Sequence, residues 1–269
     1  MSEGFTYEER EPAAAIRPWV RRIWTYTRKA EDAEPQPICA DGCPELIFDL
    51  GPPHEERRAG GDVTLQPQAM FVGQLTRPLW VRAPGPTRVF AVRFEPDGAL
   101  EWLKRPIQTV TDTHLGLMGL RPVWTAGLVA VLDAAADPMA ALEEAVAADL
   151  VGAPRPDTVV RRAIEACYRD QPVNLDRAGQ RRFLKRVGIS ARTFRAILRF
   201  RKVFDAIEAD EAGSWVSAAL AAGYFDQPQM ARDFRRFLGC TATDWARQKA
   251  GLARALVSQS YKPDGPGSA

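Results

Sequence analysis

The sequence predicts an α+β protein: a small β-barrel with flanking helices, then an all-α C-terminal domain holding two similar basic helical units, the first truncated. Three observations carry this expectation. Short alternating apolar runs broken by Pro and Gly fill the first 110 residues. Helical periodicity replaces them afterwards. The C-terminal part then realigns with itself, Arg181–Phe194 returning 51 residues later as Arg232–Trp245. The two copies share, in register, an opening Arg, then Phe183 and Phe234, Gly188 and Gly239, Ser190 and Thr241, Ala191 and Ala242, and the aromatics Phe194 and Trp245.

The elements follow in order. Glu45–Leu50 reads as a strand stopped by Gly51-Pro52-Pro53, and Arg88–Phe94, with Phe90, Val92 and Phe94 on one face, as another stopped by Pro96-Asp97-Gly98. Ala69–Gly73 and Leu79–Arg82 are shorter strand candidates, and several short strands with turn signals suggest a barrel or sandwich. Helices are expected at Gly98–Lys104, across Arg121–Ala136, and from an Asp137 cap with Pro138 at the first position to about Leu150. Pro154 and Pro156 cannot continue a helix and place the domain boundary near Gly152. Asp157 then caps a helix with Val160, Ala163, Ile164 and Cys167 on one face. A long helix runs from about Ala191 to Ala209, its stripe including Phe194, Ile197, Leu198, Val203 and Phe204, while Arg192, Arg195, Arg199 and Lys202 stay wet. Gly213 and Ser214 end one helix and cap another, and residues 263–269 read as a disordered tail.

Net charge is only +2, yet residues 1–150 hold 15 Lys+Arg against 22 Asp+Glu, and residues 151–269 hold 21 against 12. Such asymmetry joins an acidic domain to one that meets a polyanion. Between Arg177 and Lys202 stand ten basic residues and no acidic one. A charge run alone is more often a solvated face; here it lies inside the repeat. Two copies are too few for a solenoid. They suit one surface read twice, as double-stranded DNA offers the same groove once per turn. No signal segment and no run of about 18 apolar residues appears, so a cytoplasmic protein without a membrane span is expected.

Trp215–Ala222 is short and apolar, Gly223-Tyr224-Phe225 makes a turn, and Asp226 can cap a further helix burying Met230, Phe234 and Phe237. That is a helix-turn-helix. Gln227, Gln229, Ala231 and Arg232 lie near the exposed N-terminal end of its second helix, the part that enters a major groove. Gln and Arg suit adenine and guanine edges, and Arg235 and Arg236 suit phosphates. Gly223-Tyr224-Phe225-Asp226-Gln227, Met230, Arg232-Asp233-Phe234-Arg235-Arg236 and Gly239-Cys240-Thr241-Ala242 together resemble the signature of AraC-type (AraC/XylS) transcription regulators, over roughly 158–250. The resemblance implies two helix-turn-helix units joined by a long helix, here bearing Arg199-Phe200-Arg201, with Arg199 facing DNA, and both units addressing successive major grooves. The first unit departs from this pattern. Only about eight residues separate Val173 from Arg181, too few for a scaffold helix and turn. A single loosely held helix from about Asp176 to Val187 is expected, offering Arg177, Gln180 and Arg181 to DNA.

Cys39–Phe48, Phe71–Thr76 and Val92–Ala99 are similar to the cupin-like sensor domain found before such DNA-binding domains. The expected organisation is a cupin-like sensor or dimerisation domain over 1–152, an AraC-type DNA-binding domain over 153–262, and the tail. The resemblance allows a small-molecule effector, RNA polymerase and a second copy of the chain as further partners. A cupin-type enzyme would need a catalytic cluster, but the histidines are only His54 and His114, each without a His neighbour, so neither a metal nor another cofactor is expected. Cys39 and Cys43 read first as space-filling residues beside a strand, with redox or soft-metal sensing as the alternative. The tryptophans of this half, Trp19, Trp24, Trp80, Trp102 and Trp124, read first as core and second as pocket lining. A sequence-specific regulator explains the repeat, the charge split and the glutamines. A non-specific architectural protein explains only the charge.

Overall fold

Strands whose two faces meet different surroundings build the first half of the chain. The computed structural model describes residues 4–29, 34–209 and 215–247. One antiparallel sheet has the order β1 (Phe5–Arg10), β2 (Val20–Arg28), β9 (Thr87–Phe94), β4 (Glu45–Asp49), β7 (Ala69–Val72), β10 (His114–Gly116). A second has the order β3 (Gln36–Ile38), β8 (Leu79–Arg82), β5 (Glu55–Arg58), β6 (Val63–Leu65). These are two antiparallel sheets of six and four strands among the described residues. Phe90, Val92 and Phe94 of β9 join Leu46, Phe48 and Phe71 in one core, while Val89, Ala91 and Arg93 face the other way. β1 and β2 were not evident in the sequence. A register shift between Val20 and Arg22 breaks the period-two pattern by which β2 would have been seen.

Helices α1 (Ala99–Leu103), α2 (Leu117–Leu120), α3 (Pro122–Ala134) and α4 (Pro138–Leu150) cover that core. Asp137 caps α4 by accepting from the Ala140 amide at 2.9 Å. Trp102 stacks on Phe71 and meets Trp124 with ring centroids 5.7 Å apart, and its indole N–H donates to Asp149. Three tryptophans (Trp19, Trp24 and Trp102) are thus buried, whereas Trp80 faces the C-terminal half.

That half comprises α5 (Thr158–Tyr168), α6 (Arg177–Val187), α7 (Ala191–Ala209), α8 (Trp215–Ala221), α9 (Gln227–Phe237) and α10 (Ala242–Arg247). The expected 263–269 tail and the Gly213-Ser214 helix junction lie outside the described residues. Helix α7 is the hub, burying Phe194, Ile197, Leu198, Phe200, Arg201, Val203 and Phe204. Its core takes in Cys39 and Ala40 from the N-terminal half, so the two halves share a hydrophobic cluster.

Polar contacts reinforce the join. Arg161 pairs with Asp97 at 2.7 Å, Arg186 with Glu101 at 2.9 Å, and Arg21 donates to the Tyr168 hydroxyl at 2.6 Å. The repeat docks here twice through equivalent residues. Gly188 ends α6 with φ +91, and a Cβ on it would lie 2.9 Å from Ile107; its carbonyl accepts from the Thr111 hydroxyl at 2.7 Å. Gly239 follows α9 with φ +70, and a Cβ there would lie 2.4 Å from the Trp80 ring. Each position requires both the left-handed backbone that glycine permits and the absence of a side chain.

Two outcomes are expected in unfolding experiments. Phe200→Ala should lower stability by about 3–5 kcal/mol, because the ring is fully buried among Phe204, Phe234 and Phe237. Gly239→Ala should cost roughly 1–2 kcal/mol for its backbone and about 1–3 kcal/mol more from overlap with Trp80, the second part vanishing in a Trp80→Ala background. A cost no larger than that of Gly223→Ala, where a Cβ would meet nothing within 4 Å, would show that Trp80 does not form this seat.

Candidate nucleic-acid interface

The second unit is rigid because each of its turns is closed by hydrogen bonds. After α8 the amide of Gly223 donates to Leu220 O at 3.0 Å and that of Tyr224 to Ala219 O at 2.9 Å, which is a Schellman ending. The Asp226 carboxylate accepts from the Gln229 amide at 2.7 Å, and the Gln229 side-chain oxygen accepts in return from the Phe225 amide at 3.2 Å. Met230, Asp233, Phe234 and Phe237 recur at helical spacing and bury one face of α9. Phe234 meets Phe200 edge-on at 4.9 Å and Trp215 at 5.5 Å.

Asp233 is a buried acid on that apolar face, and its partners explain it. The carboxylate accepts from the Tyr224 hydroxyl at 2.9 Å and from Arg199 at 3.0 Å, while the Arg199 guanidinium lies 4.5 Å from the Tyr224 ring centroid. Burial, with the neighbouring carboxylate, pushes the Tyr224 hydroxyl well above its ordinary pKa. The sequence reading gave Arg199 to DNA. In the structure its guanidinium pairs with Asp233 and ties α7 to the turn and to α9, while Arg199 also lines the groove between the two units.

The outward face of α9 carries Pro228, Arg232 and Arg235 at positions i, i+4 and i+7, all exposed, with Arg236 beside them. Gln227 is exposed but turned about 100° from Pro228. Gln229 and Ala231 are half-buried on the flanks, and the Gln229 carbonyl is already engaged in the cap.

In the first unit Asp176 caps α6 by accepting from Gly179 N at 2.7 Å, and Phe183 and Val187 are buried. Arg177, Gln180 and Arg181 are exposed, although the Gln180 amide donates to Leu175 O at 3.0 Å. Residues 169–176 form no helix, so α6 has no counterpart of α8 immediately before it, and it packs against α5, whose Asp157 cap pairs with Arg182 at 3.2 Å. The expectation that this leaves α6 loosely held needs correction. The Arg186–Glu101 pair and the Gly188 seat fasten it to the N-terminal half instead. Between the units runs a groove lined by Arg192 and Arg195 of α7 and by Gln229, Arg232 and Arg236 of α9. Arg192 and Arg195 were not among the site residues drawn from the sequence, which showed them only as wet positions on the long helix.

A cavity of about 90 Å³ lies between the two sheets, and Arg201 of α7 forms part of its wall. Arg93 crosses this wall, pairing with Glu45 at 2.8 Å and Asp41 at 3.1 Å, with Nη1 buried and without a hydrogen-bond partner. Hydrogen bonds from His114 and Gln66, with the charge of Arg58, outweigh burial and hold Glu56 down to about 2. Cys39 and Cys43 are buried free thiols; burial raises the first and pushes the second up to about 12, which disfavours the reactive thiolate.

Residues 176–248 match a helix-turn-helix domain family, and residues 8–116 match a domain of unknown function (DUF6597). No curated protein matches the chain. Among solved structures, ToxT from Vibrio cholerae is similar with a TM-score of 0.45 and 6% identity, over 90% of this chain and 97% of that one. ToxT from Vibrio cholerae O395 bound to (E)-4-(8-methylnaphthalen-1-yl)but-3-enoic acid gives 0.43 and 7%, over 90% and 98%. The AraC-like transcriptional activator CuxR gives 0.29 and 14%, over 80% and 91%.

Breaking the brace should separate stability from charge. Asp233→Ala is expected to cost about 1.5–3 kcal/mol, since it strips a charged acceptor from two donors. Arg235→Ala, at an exposed position, should stay within about 0.5 kcal/mol of the parent in denaturant unfolding. Equal costs would refute the brace.

Proposed function

Starting from a chain that carries an AraC-type helix-turn-helix domain behind an N-terminal β-sheet domain, we propose that the protein is a sequence-specific, DNA-binding transcription regulator. The observation that carries this reading is α9: a helix capped and braced from three sides, presenting Arg232 and Arg235 on its outward face. Base reading needs fixed side-chain geometry, whereas phosphate binding needs only nearby charge. Arg232 is the guanine-edge reader, and Arg192, Arg195, Arg235 and Arg236 hold phosphates on either side of the groove. Arg177 and Arg181 grip the backbone in an adjoining groove, and the Gln180 amide is engaged with Leu175 O, so the second unit specifies its part of the site more strongly than the first.

The N-terminal domain supplies regulation in this reading. Its cavity shares Arg201 with the helix that joins the two units, so a small effector seated there touches the DNA-binding half directly.

The test is duplex binding by the full chain at several salt concentrations. The six phosphate-binding arginines give a log–log salt slope of about −5. Arg236→Ala should weaken all sequences alike and flatten that slope by about one. Arg232→Ala should relax preference at one base pair, worth roughly 1–3 kcal/mol. Uniform weakening by both variants would make the protein a non-specific binder and overturn the proposal.

A further inference from the structure

The leading end of the DNA-facing helix carries no hydrogen-bonding side chain on its outward face. Phe225 is 91% exposed, the most of any large apolar residue among those described. It stands one residue before the Asp226 cap, and Pro228 is the first outward position of α9. Nothing about Phe225 is loose. Its amide donates to Gln229, the preceding Tyr224 is anchored on Asp233, and the following Asp226 is held by the Gln229 amide. A bare aromatic ring on a fixed backbone is costly to leave in water, and its surroundings are cationic: Arg232, Arg235 and Arg236 follow on the same helix. Those charges exclude a basic or purely apolar partner and favour a polyanion. The apolar feature exposed in the major groove of a DNA duplex is the C5-methyl group of thymine.

Resting on the DNA-binding reading above, we propose that Phe225, with Pro228, is a specificity-determining contact for a thymine methyl group, next to the base pair addressed by Arg232. A helix tip built this way recognises by shape and apolar contact. The glutamine one residue away, Gln227, points to the flank. The preferred site therefore holds a thymine under the tip, and any pyrimidine carrying a 5-methyl group satisfies the same contact.

The experiment first selects preferred duplexes from a random pool with the full-length protein, then replaces each thymine singly by deoxyuridine. That exchange removes one methyl group and leaves every hydrogen-bonding group in place. The parent should lose about fourfold in affinity at one position, the equivalent of ~0.8 kcal/mol for one buried methyl-sized group. Phe225→Ala, at a position too exposed to affect folding, should bind thymine and deoxyuridine duplexes equally, at the weaker level. A parent insensitive to every replacement, or a Phe225→Ala variant that keeps the same thymine preference, overturns the inference while leaving sequence-specific binding intact. Failure of the selection to enrich any sequence overturns both.

Discussion

Burial of α7 is the constraint on which the remaining structure depends. The helix is wrapped by α5 and α6 near its start and by α8, α9 and α10 further along, and its aromatic residues do the joining. Phe194 meets Tyr168 and Phe183, Phe200 meets Phe234 and Phe237, and Phe204 meets Trp245 at 4.7 Å. The same helix sends Arg201 to the cavity of the sheet domain. Close-packed interiors transmit displacement instead of absorbing it. Because neighbouring turns of one helix serve two DNA-facing units and a cavity wall, a shift felt by any of the three is felt by the others.

Charge is used in two distinct ways around this hub. Inside, buried ions are paired with partners of opposite sign, as with Asp233 and Arg199, Asp97 and Arg161, and Arg93 and Glu45. Such pairs contribute orientation more than stability, since desolvation offsets much of their attraction. Outside, Arg177 and Arg181 of α6, the arginines of α9, and Arg192 and Arg195 of α7 are exposed to water. Positions alike in composition thus have opposite roles, and burial decides which role each residue takes.

That division also marks what could be read from the sequence. Helices α3 to α9 were legible because their caps, prolines and apolar spacing act locally, and the repeat exposed the second unit and its missing counterpart in the first. The pairing of Arg199 with Asp233 was not legible, because the two lie 34 residues apart and no local pattern announces a long-range ion pair. Strand β2 was hidden by its irregular register and β6 by a sequence exposed throughout. The loss of the scaffold helix was visible, but not its replacement by contacts to Glu101 and Thr111. Those contacts join residues 77 and 85 positions apart, beyond anything periodicity reports.

Docking of Cys39 and Ala40 into the hydrophobic cluster around α7 has a consequence for modularity. The core of the C-terminal half is thus completed by residues from the opposite end of the chain. Cutting the link between α4 and α5 would expose apolar surface on both fragments and remove the only fastening of α6 found among the described residues beyond its own neighbours. The shared cluster couples the stability of the two halves. The N-terminal domain contributes packing to the C-terminal half, and domain exchange between related chains is expected to preserve stability only when it carries both sides of this shared core.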